Sequence, residues 1–366
     1  MKRLVLLIFI LMFSCEKNKN TTDLAQGSSK NNLIAMVMIN GKYGFINPEG
    51  DYIINPKYPL ARSFSNGLAC VNFGGMRNDL ISGAIGGTYG FIDTNGKLVQ
   101  EAKSYSKPVS FYNDFAVIEL DNGTVGFMNR KFELVKGGFD LLMPFRDGLA
   151  AAVINNEKIV GFIDTTGEWK IKFDERHRIG DFHEGIAFLI KDNKFGYINT
   201  QGEIIIEPKY EGTYDFHEGL GAFLLNDKFG FMNKEGEHII SNEYEDVADF
   251  SEGLCAVQKN GKWGYINNTG EIVIPFNFDV VRDFHQGFAA VSQGSNKVGY
   301  IDKNGDWLVE PEFYNALDFK NGYAIINKNG KLGFINLQGE IIIEPQYERV
   351  DNFVNPFASN ENLRLD

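Results

Sequence analysis

The phrase Lys262-Trp263-Gly264-Tyr265-Ile266-Asn267-Asn268-Thr269-Gly270 returns in altered form along almost the whole chain. Lys42-Tyr43-Gly44-Phe45-Ile46-Asn47 and Lys331-Leu332-Gly333-Phe334-Ile335-Asn336 are versions of it. Its marker glycine stands at Gly44, Gly90, Gly126, Gly161, Gly196, Gly230, Gly264, Gly299 and Gly333, at spacings of 46, 36, 35, 35, 34, 34, 35 and 34. A fixed period in this range is the signature of a solenoid, a propeller or an array, in which each unit buries its apolar face only against its neighbours. The repeat overrides the two or three ordinary domains that the length alone would imply.

An aromatic residue follows the marker glycine in all nine copies, and then comes Ile or Met and then Asn or Asp. Three residues later a glycine recurs in eight copies, Gly50, Gly96, Gly202 and Gly339 among them, with Phe132 as the exception. An Asn or Asp side chain can accept from the backbone two residues on, and glycine supplies a positive φ, so this is hairpin chemistry. The next segment is β-branched, as in Ile204-Ile205-Ile206, and proline often ends it, at Pro56, Pro208, Pro275, Pro311 and Pro345. Proline cannot donate to a ladder and belongs at a strand end. A Phe-x-x-Gly element follows, with its phenylalanine in all nine copies from Phe64 to Phe353 and its glycine replaced by Asp114 and Pro356. A third strand comes after it, typified by Leu149-Ala150-Ala151-Ala152-Val153. The fold expected is all-β: nine three-stranded antiparallel repeats of about 35 residues, stacked so that repeated aromatics form ladders. Both ends contain whole repeats, which favours an open, curved superhelix, with a closed propeller-like ring as the alternative.

The phrases Gly-Lys-Trp-Gly-Tyr-Ile-Asn and Phe-Ser-Glu-Gly-Leu resemble the WG, or KWG, repeat family of bacterial proteins. The resemblance covers residues 33–358, although the tryptophan itself is kept only at Trp263. It implies a noncatalytic β-repeat module, often secreted or in the cell envelope, without a defined ligand.

The N-terminus reads as a leader. Lys2 and Arg3 precede an apolar run from Leu4 to Phe13 that is too short to span a bilayer, and Ser14 and Cys15 follow. Met12-Phe13-Ser14-Cys15 looks like a lipobox, with Met12 in the usual leucine place. Residues 1–14 are expected to be a signal peptide and Cys15 the lipidated residue. Residues 15–32 are polar enough to act as a flexible tether, and 359–366 form a tail. The expected location is the bacterial cell envelope. Glu16, rather than Asp, follows the cysteine and leaves the outer membrane open, and we favour it over the inner.

The formal net charge is −12, and removal of Lys2 and Arg3 makes it more negative. Nucleic acid needs clustered cations and is not an expected partner. Cys70 and Cys255 lie in distant repeats, beyond disulfide reach, and read as small buried apolar residues. His183, His217 and His285 occupy one repeated position, so neighbours sit about 5 Å or more apart, unlike ligands about 2.1 Å from one metal ion. Glu184, Glu218 and Glu252 recur in the same way. No Gly-x-Ser-x-Gly, P-loop or dinucleotide fingerprint is present. No catalytic, metal or cofactor residue is therefore expected.

Function in a repeat protein lies where copies differ. Before the second marker glycine there is an insertion, residues 73–88, whose glycines predict a flexible loop of the kind that often carries binding. Two residues after the turn glycine, Tyr52, Trp169, His238 and Trp307 are candidate ligand contacts. The expected function is a noncatalytic scaffold for an envelope protein or a glycan. The alternatives are a glycan-processing hydrolase, with its site on the insertion or in a central channel, and a structural spacer.

Overall fold

The computed structural model describes residues 32–78, 83–102, 109–174 and 176–358. The leader, Cys15, nearly all of the tether and the tail at 359–366 lie outside the described residues. No described helix is long and apolar enough to cross a membrane.

One unit shows how the rest are made. Asp246–Val247, Leu254–Lys259, Lys262–Asn267 and Ile272–Phe278 form one antiparallel sheet in chain order. Ser251 and Leu254 exchange backbone bonds of 2.9 and 3.2 Å around Glu252 (φ 54°) and Gly253 (φ 84°). Two central residues with positive φ make the tight hairpin whose twist suits flanking strands. Asn260 and Gly261 close the next hairpin in the same way. In the third turn, Asn267 Oδ1 accepts from the backbone N–H groups of Thr269 and Glu271 at 3.0 and 2.9 Å, as the sequence predicts.

The marker glycine and the proline have one joint cause. Trp263 pairs with Phe278, but Tyr265 pairs with Ile274, so the fourth strand carries two extra residues there and bulges over Gly264. A Cβ on Gly264 would lie 2.7 Å from the Ile274 carbonyl oxygen. The same carbonyl stands within 2.7 Å of a built Cβ at all the marker glycines except Gly90. Pro275 sits inside this bulge, where no ladder N–H is needed, and so do Pro56, Pro208, Pro311 and Pro345.

Among the described residues there are nine such sheets, seven of four strands and two of three, plus a two-stranded ribbon. The three-stranded expectation thus misses the short first strand, which is only two residues in most blades. The core lies between blades. Each marker aromatic packs on the Phe-x-x-Gly phenylalanine of the next blade, with ring centroids 4.5–5.6 Å apart in all nine cases, from Phe45–Phe64 to Phe334–Phe353. Such tilted pairs stabilise by about 0.5–1.5 kcal/mol beyond their buried area.

The array closes. Arg349–Val350 pairs with Ala35–Ile39, through Val37 with Val350 and Met38 with Arg349. Ile34 and Val354 exchange backbone bonds of 2.9 and 3.0 Å. The C-terminal segment is therefore the first strand of the N-terminal blade. This corrects the open superhelix in favour of its alternative, a closed ring of nine blades. The physical reason is that the blade containing both chain ends is split between them. Cys70 and Cys255 are buried free thiols, and burial pushes that of Cys70 up to about 11.

Candidate functional site at the ring axis

The Phe-x-x-Gly turns lie on one face of the ring, and their acidic residues are clips between blades. Glu184 accepts from the backbone N–H groups of Glu218 and Gly219, one blade on, at 2.7 and 3.1 Å. Glu218 accepts from Gly253 at 2.9 Å, and Glu252 accepts from Gln286 and Gly287 at 2.5 and 2.9 Å. Asp147 Oδ2 accepts from Gly185 at 3.0 Å, and Gln286 Oε1 from Gly322 at 2.7 Å. Lys234 and Lys303 add ion pairs of 3.1 Å to Glu184 and Glu252. Burial pushes both carboxyls up, but these lysines and turn N–H groups outweigh it and hold them below the ordinary glutamate value. A left-handed conformation costs a side chain about 1–3 kcal/mol. Glutamate is kept at φ 51–54° in Glu184, Glu218 and Glu252, where it can reach the next turn.

In a closed ring the short first strands have a free edge and stand toward the axis, while the long fourth strands face outward. The residues flanking the repeated phenylalanine therefore form an axial belt. Before it stand Asp181, Asp215, Asp249, Asp283 and Asp318, but Ser63, Ser110, Pro144 and Asn352 take that position elsewhere. After it, His183 Nε2 lies 3.4 Å from Asp215, His217 Nε2 3.5 Å from Asp249, and His285 Nε2 3.8 Å from Asp318. Arg146 Nε lies 3.9 Å from Asp181. Each pair joins consecutive blades. The rings of His183 and His217 are 5.7 Å apart, within the spacing anticipated for neighbouring repeats. Among the described residues no group of three or more His, Cys, Asp or Glu is arranged to hold a metal ion. Burial raises the pKa of Asp181 and of Asp215, against the pull of Arg146 and His183 on the first and of His183 and His217 on the second. The sequence shows that these residues recur. It does not show that the histidine of one blade meets the aspartate of the next.

A cleft of 270 Å³ opens over the turns of the third to fifth blades, lined among others by Tyr112, Arg146 and His183. Its carboxylates, Asp147 and Glu184, are the clips just described.

The four candidate contact residues do not meet. Tyr52, Trp169, His238 and Trp307 begin the outer strands of four different blades. Each lies against the aromatic that ends the outer strand before it. Trp169 meets Phe139 edge-on at 6.2 Å, and Trp307 meets Phe278 edge-on at 6.3 Å. His238 stacks on Phe223 at 4.0 Å and bonds the Tyr210 hydroxyl at 2.9 Å. Tyr52 is 40% exposed and bonds Tyr347. The described residues of the insertion include a short two-stranded ribbon. Met76–Asn78 pairs with Gly83–Ile85 on the face opposite the Phe-x-x-Gly turns. Buried Asn72 ties its base, accepting from Gly75 N at 3.1 Å and donating to Gly86 O at 3.3 Å. Arg77 donates to the Tyr43 hydroxyl at 2.7 Å.

A ring of this kind is found among solved structures. A crystal structure described as that of the eukaryotic initiation factor matches with a TM-score of 0.60 at 11% identity, over 90% of this chain and 100% of that one. BamB from Moraxella catarrhalis matches at a TM-score of 0.39 and 11% identity, over 74% of this chain and 88% of its own. At 11% identity the first of these likenesses concerns the fold alone, a β-propeller. No curated protein matches the chain. The family model for the WG containing repeat matches nine stretches, residues 43–76, 89–123, 126–157, 161–195, 195–229, 229–263, 263–296, 299–331 and 333–361. With the ring built from these nine stretches, the chain belongs to the WG repeat family.

Proposed function

We propose that this protein is a noncatalytic lipoprotein of the bacterial cell envelope that binds a protein or glycan partner. Acyl chains on Cys15 would hold it at a membrane, the outer in preference to the inner, and the polar tether would let the ring stand off that membrane. The observation that carries the binding reading is the work done by the repeated acidic and imidazole groups. They join one blade to the next around the ring, whereas a catalytic set must converge on one reacting atom. The acidic net charge disfavours nucleic acid as a partner.

Two measurements test the reading. Cys15→Ala is expected to abolish fatty-acid labelling and to release the protein from the membrane fraction. Persistent labelling would refute the anchor. Crosslinking in intact envelopes is expected to trap a defined protein or glycan on the ring. If the purified ring instead turned over envelope glycan, the enzyme reading would replace this one.

A further inference from the structure

We propose that the outer edge of Trp169–Asp174 takes up an extended acidic segment of a partner protein as an added β-strand. The proposal rests on the scaffold reading and names the class of partner for one sector of the rim.

The outer strand of a blade is hydrogen-bonded on one side only, and alternate residues turn their N–H and C=O groups outward. Such an edge invites another chain unless it is guarded. Six of the nine outer strands are guarded by the two extra residues that bulge over the marker glycine, and five of these six carry a proline there. Leu134–Phe139 has one extra residue and the pair Gly137-Gly138. Trp169–Asp174 has no bulge over its marker glycine. Phe162 pairs with Ile171, Gly161 with Lys172 and Val160 with Phe173 in unbroken register, and the strand contains no proline. It is the last strand of its sheet. Leu98–Ala102 is the other regular outer strand, but its one charge is Glu101, it has no aromatic side chain, and the residues after it lie outside the described ones.

The side chains beside the edge choose its occupant. Lys172 is exposed, and its ammonium stands 5.9 Å from the centre of the Trp169 ring. Lys136 is exposed on the preceding outer strand, where a Cβ on Gly167 would lie 2.7 Å from its stem. Trp169 meets Phe139 of that same strand. Two ammonium groups and a half-buried indole thus share one seam along the edge. Among the described residues neither Lys136 nor Lys172 forms an ion pair, whereas Lys170 is held by Asp164 at 2.9 Å. The carboxylate at the far end of the strand is committed as well. Asp174 accepts from Arg176 Nε at 3.0 Å and lies 3.0 Å from His177 Nδ1. Glu168 is exposed but precedes the strand.

The lysines also disfavour a second copy of this chain. Pairing two identical edges would bring Lys172 against the same basic seam, and like charges across a ladder are destabilising. Carboxylates on the incoming strand remove that repulsion, and an apolar side chain between them can cover the Trp169 ring. Main-chain bonds then supply affinity and the seam supplies selectivity.

The test is fluorescence anisotropy of labelled hexapeptides titrated with the mature full-length protein. The peptides are alternating Val-Glu, alternating Val-Lys, and alternating Val-Glu with every peptide nitrogen methylated. Saturable one-to-one binding of the first is expected, with the other two at least about tenfold weaker. Lys136→Glu with Lys172→Glu reverses two exposed charges and is expected to weaken the acidic peptide by about tenfold or more at an unchanged melting temperature. Should that variant melt early, Lys136→Gln with Lys172→Gln gives the second reading, with a loss of at least about threefold. The parent is expected to sediment as one species at every concentration. A dimer that the charge-reversed variant dissolves would assign the edge to a second copy and overturn the proposal. So would absence of saturation, equal binding of the basic or methylated peptide, or unchanged affinity in a folded variant. Envelope crosslinking of the charge-reversed variant keeps the two readings apart. A partner trapped as well as in the parent would leave the scaffold standing and overturn the edge as its seat.

Discussion

Gly264→Ala tests the geometric account of the family's marker glycine. The added Cβ would stand 2.7 Å from the Ile274 oxygen and 3.0 Å from both the Pro275 carbonyl carbon and the Phe276 nitrogen. All three are backbone atoms, so no side chain can swing away, and the bulge over the glycine must move. Overpacking of this kind costs about 1–3 kcal/mol. The comparison is Gly253→Asn, in the hairpin turn of the same blade. A Cβ there meets nothing within 4 Å, and the only demand is a φ of 84°. Asparagine tolerates that region, and Asp114 already occupies the equivalent turn position at φ 69°. Its cost should be about 0.5 kcal/mol. Urea unfolding of both variants, compared at an unchanged slope, gives the two values. Equal losses, or a larger loss for Gly253→Asn, would show that close approach to the bulge is not why glycine marks the repeat.

Deleting residues 347–366 removes the closing strand with Tyr347, Phe353 and Val354, all buried. At about 1.5–3 kcal/mol for each large side chain, the loss should be several kcal/mol and visible as protease sensitivity of the N-terminal blade. A parent-like melt would refute closure. Glu184→Gln with Glu252→Gln removes two carboxylates whose folded pKa values are lowered, so their contribution is present above the unfolded glutamate value and is lost as pH falls through the folded one. Because both are solvent-screened, the pair should flatten the fall in stability between neutral and acid pH by only about 1 kcal/mol, read from urea midpoints across that range. Trp169→Ala and Trp307→Ala each remove an edge-on contact with the preceding blade and should cost about 1–2 kcal/mol by thermal or urea melts. Crosslinking yields compared at equal folded fraction would show whether these rings also contact the partner.

Local structure was legible wherever one residue type has one physical use. Asn or Asp before a turn glycine announced the third hairpin, and Asn267 makes the bonds that role requires. The repeated aromatics announced stacking between units, and Tyr265 on Phe284 is one such contact. The first strand escaped notice because Asp246–Val247 is too short to alternate visibly and ends close to a turn. The clips escaped for another reason. Glu184 in the sequence is an acidic residue in a polar turn, and nothing local reveals that its oxygens will meet the N–H groups of Glu218 and Gly219. The choice between Tyr and Phe after the marker glycine has a similar basis. Tyr265 and Tyr300 donate to the Arg282 and Leu317 carbonyls of the next blade at 2.7 and 2.6 Å, while Phe231 and Phe334 only pack.

Closure follows from a question of phase. A repeat can be cut at any point, and a cut at the marker phrase makes every copy look whole. A blade instead begins with the strand before the Phe-x-x-Gly turn. Counted that way, Ala35–Ile39 is a second strand with no Phe-x-x-Gly element before it, and Arg349–Val350 is a first strand followed by Phe353 but by no marker phrase. Each end lacks what the other holds. Buried strand edges and unpaired aromatics are costly, so the two remnants have reason to meet. In the ring Val350 pairs with Val37, and Phe353 completes the aromatic ladder by packing on Phe334 at 4.6 Å. The order of elements at the ends therefore decides between a ring and an open array, although the spacing of the marker glycines is the same in both.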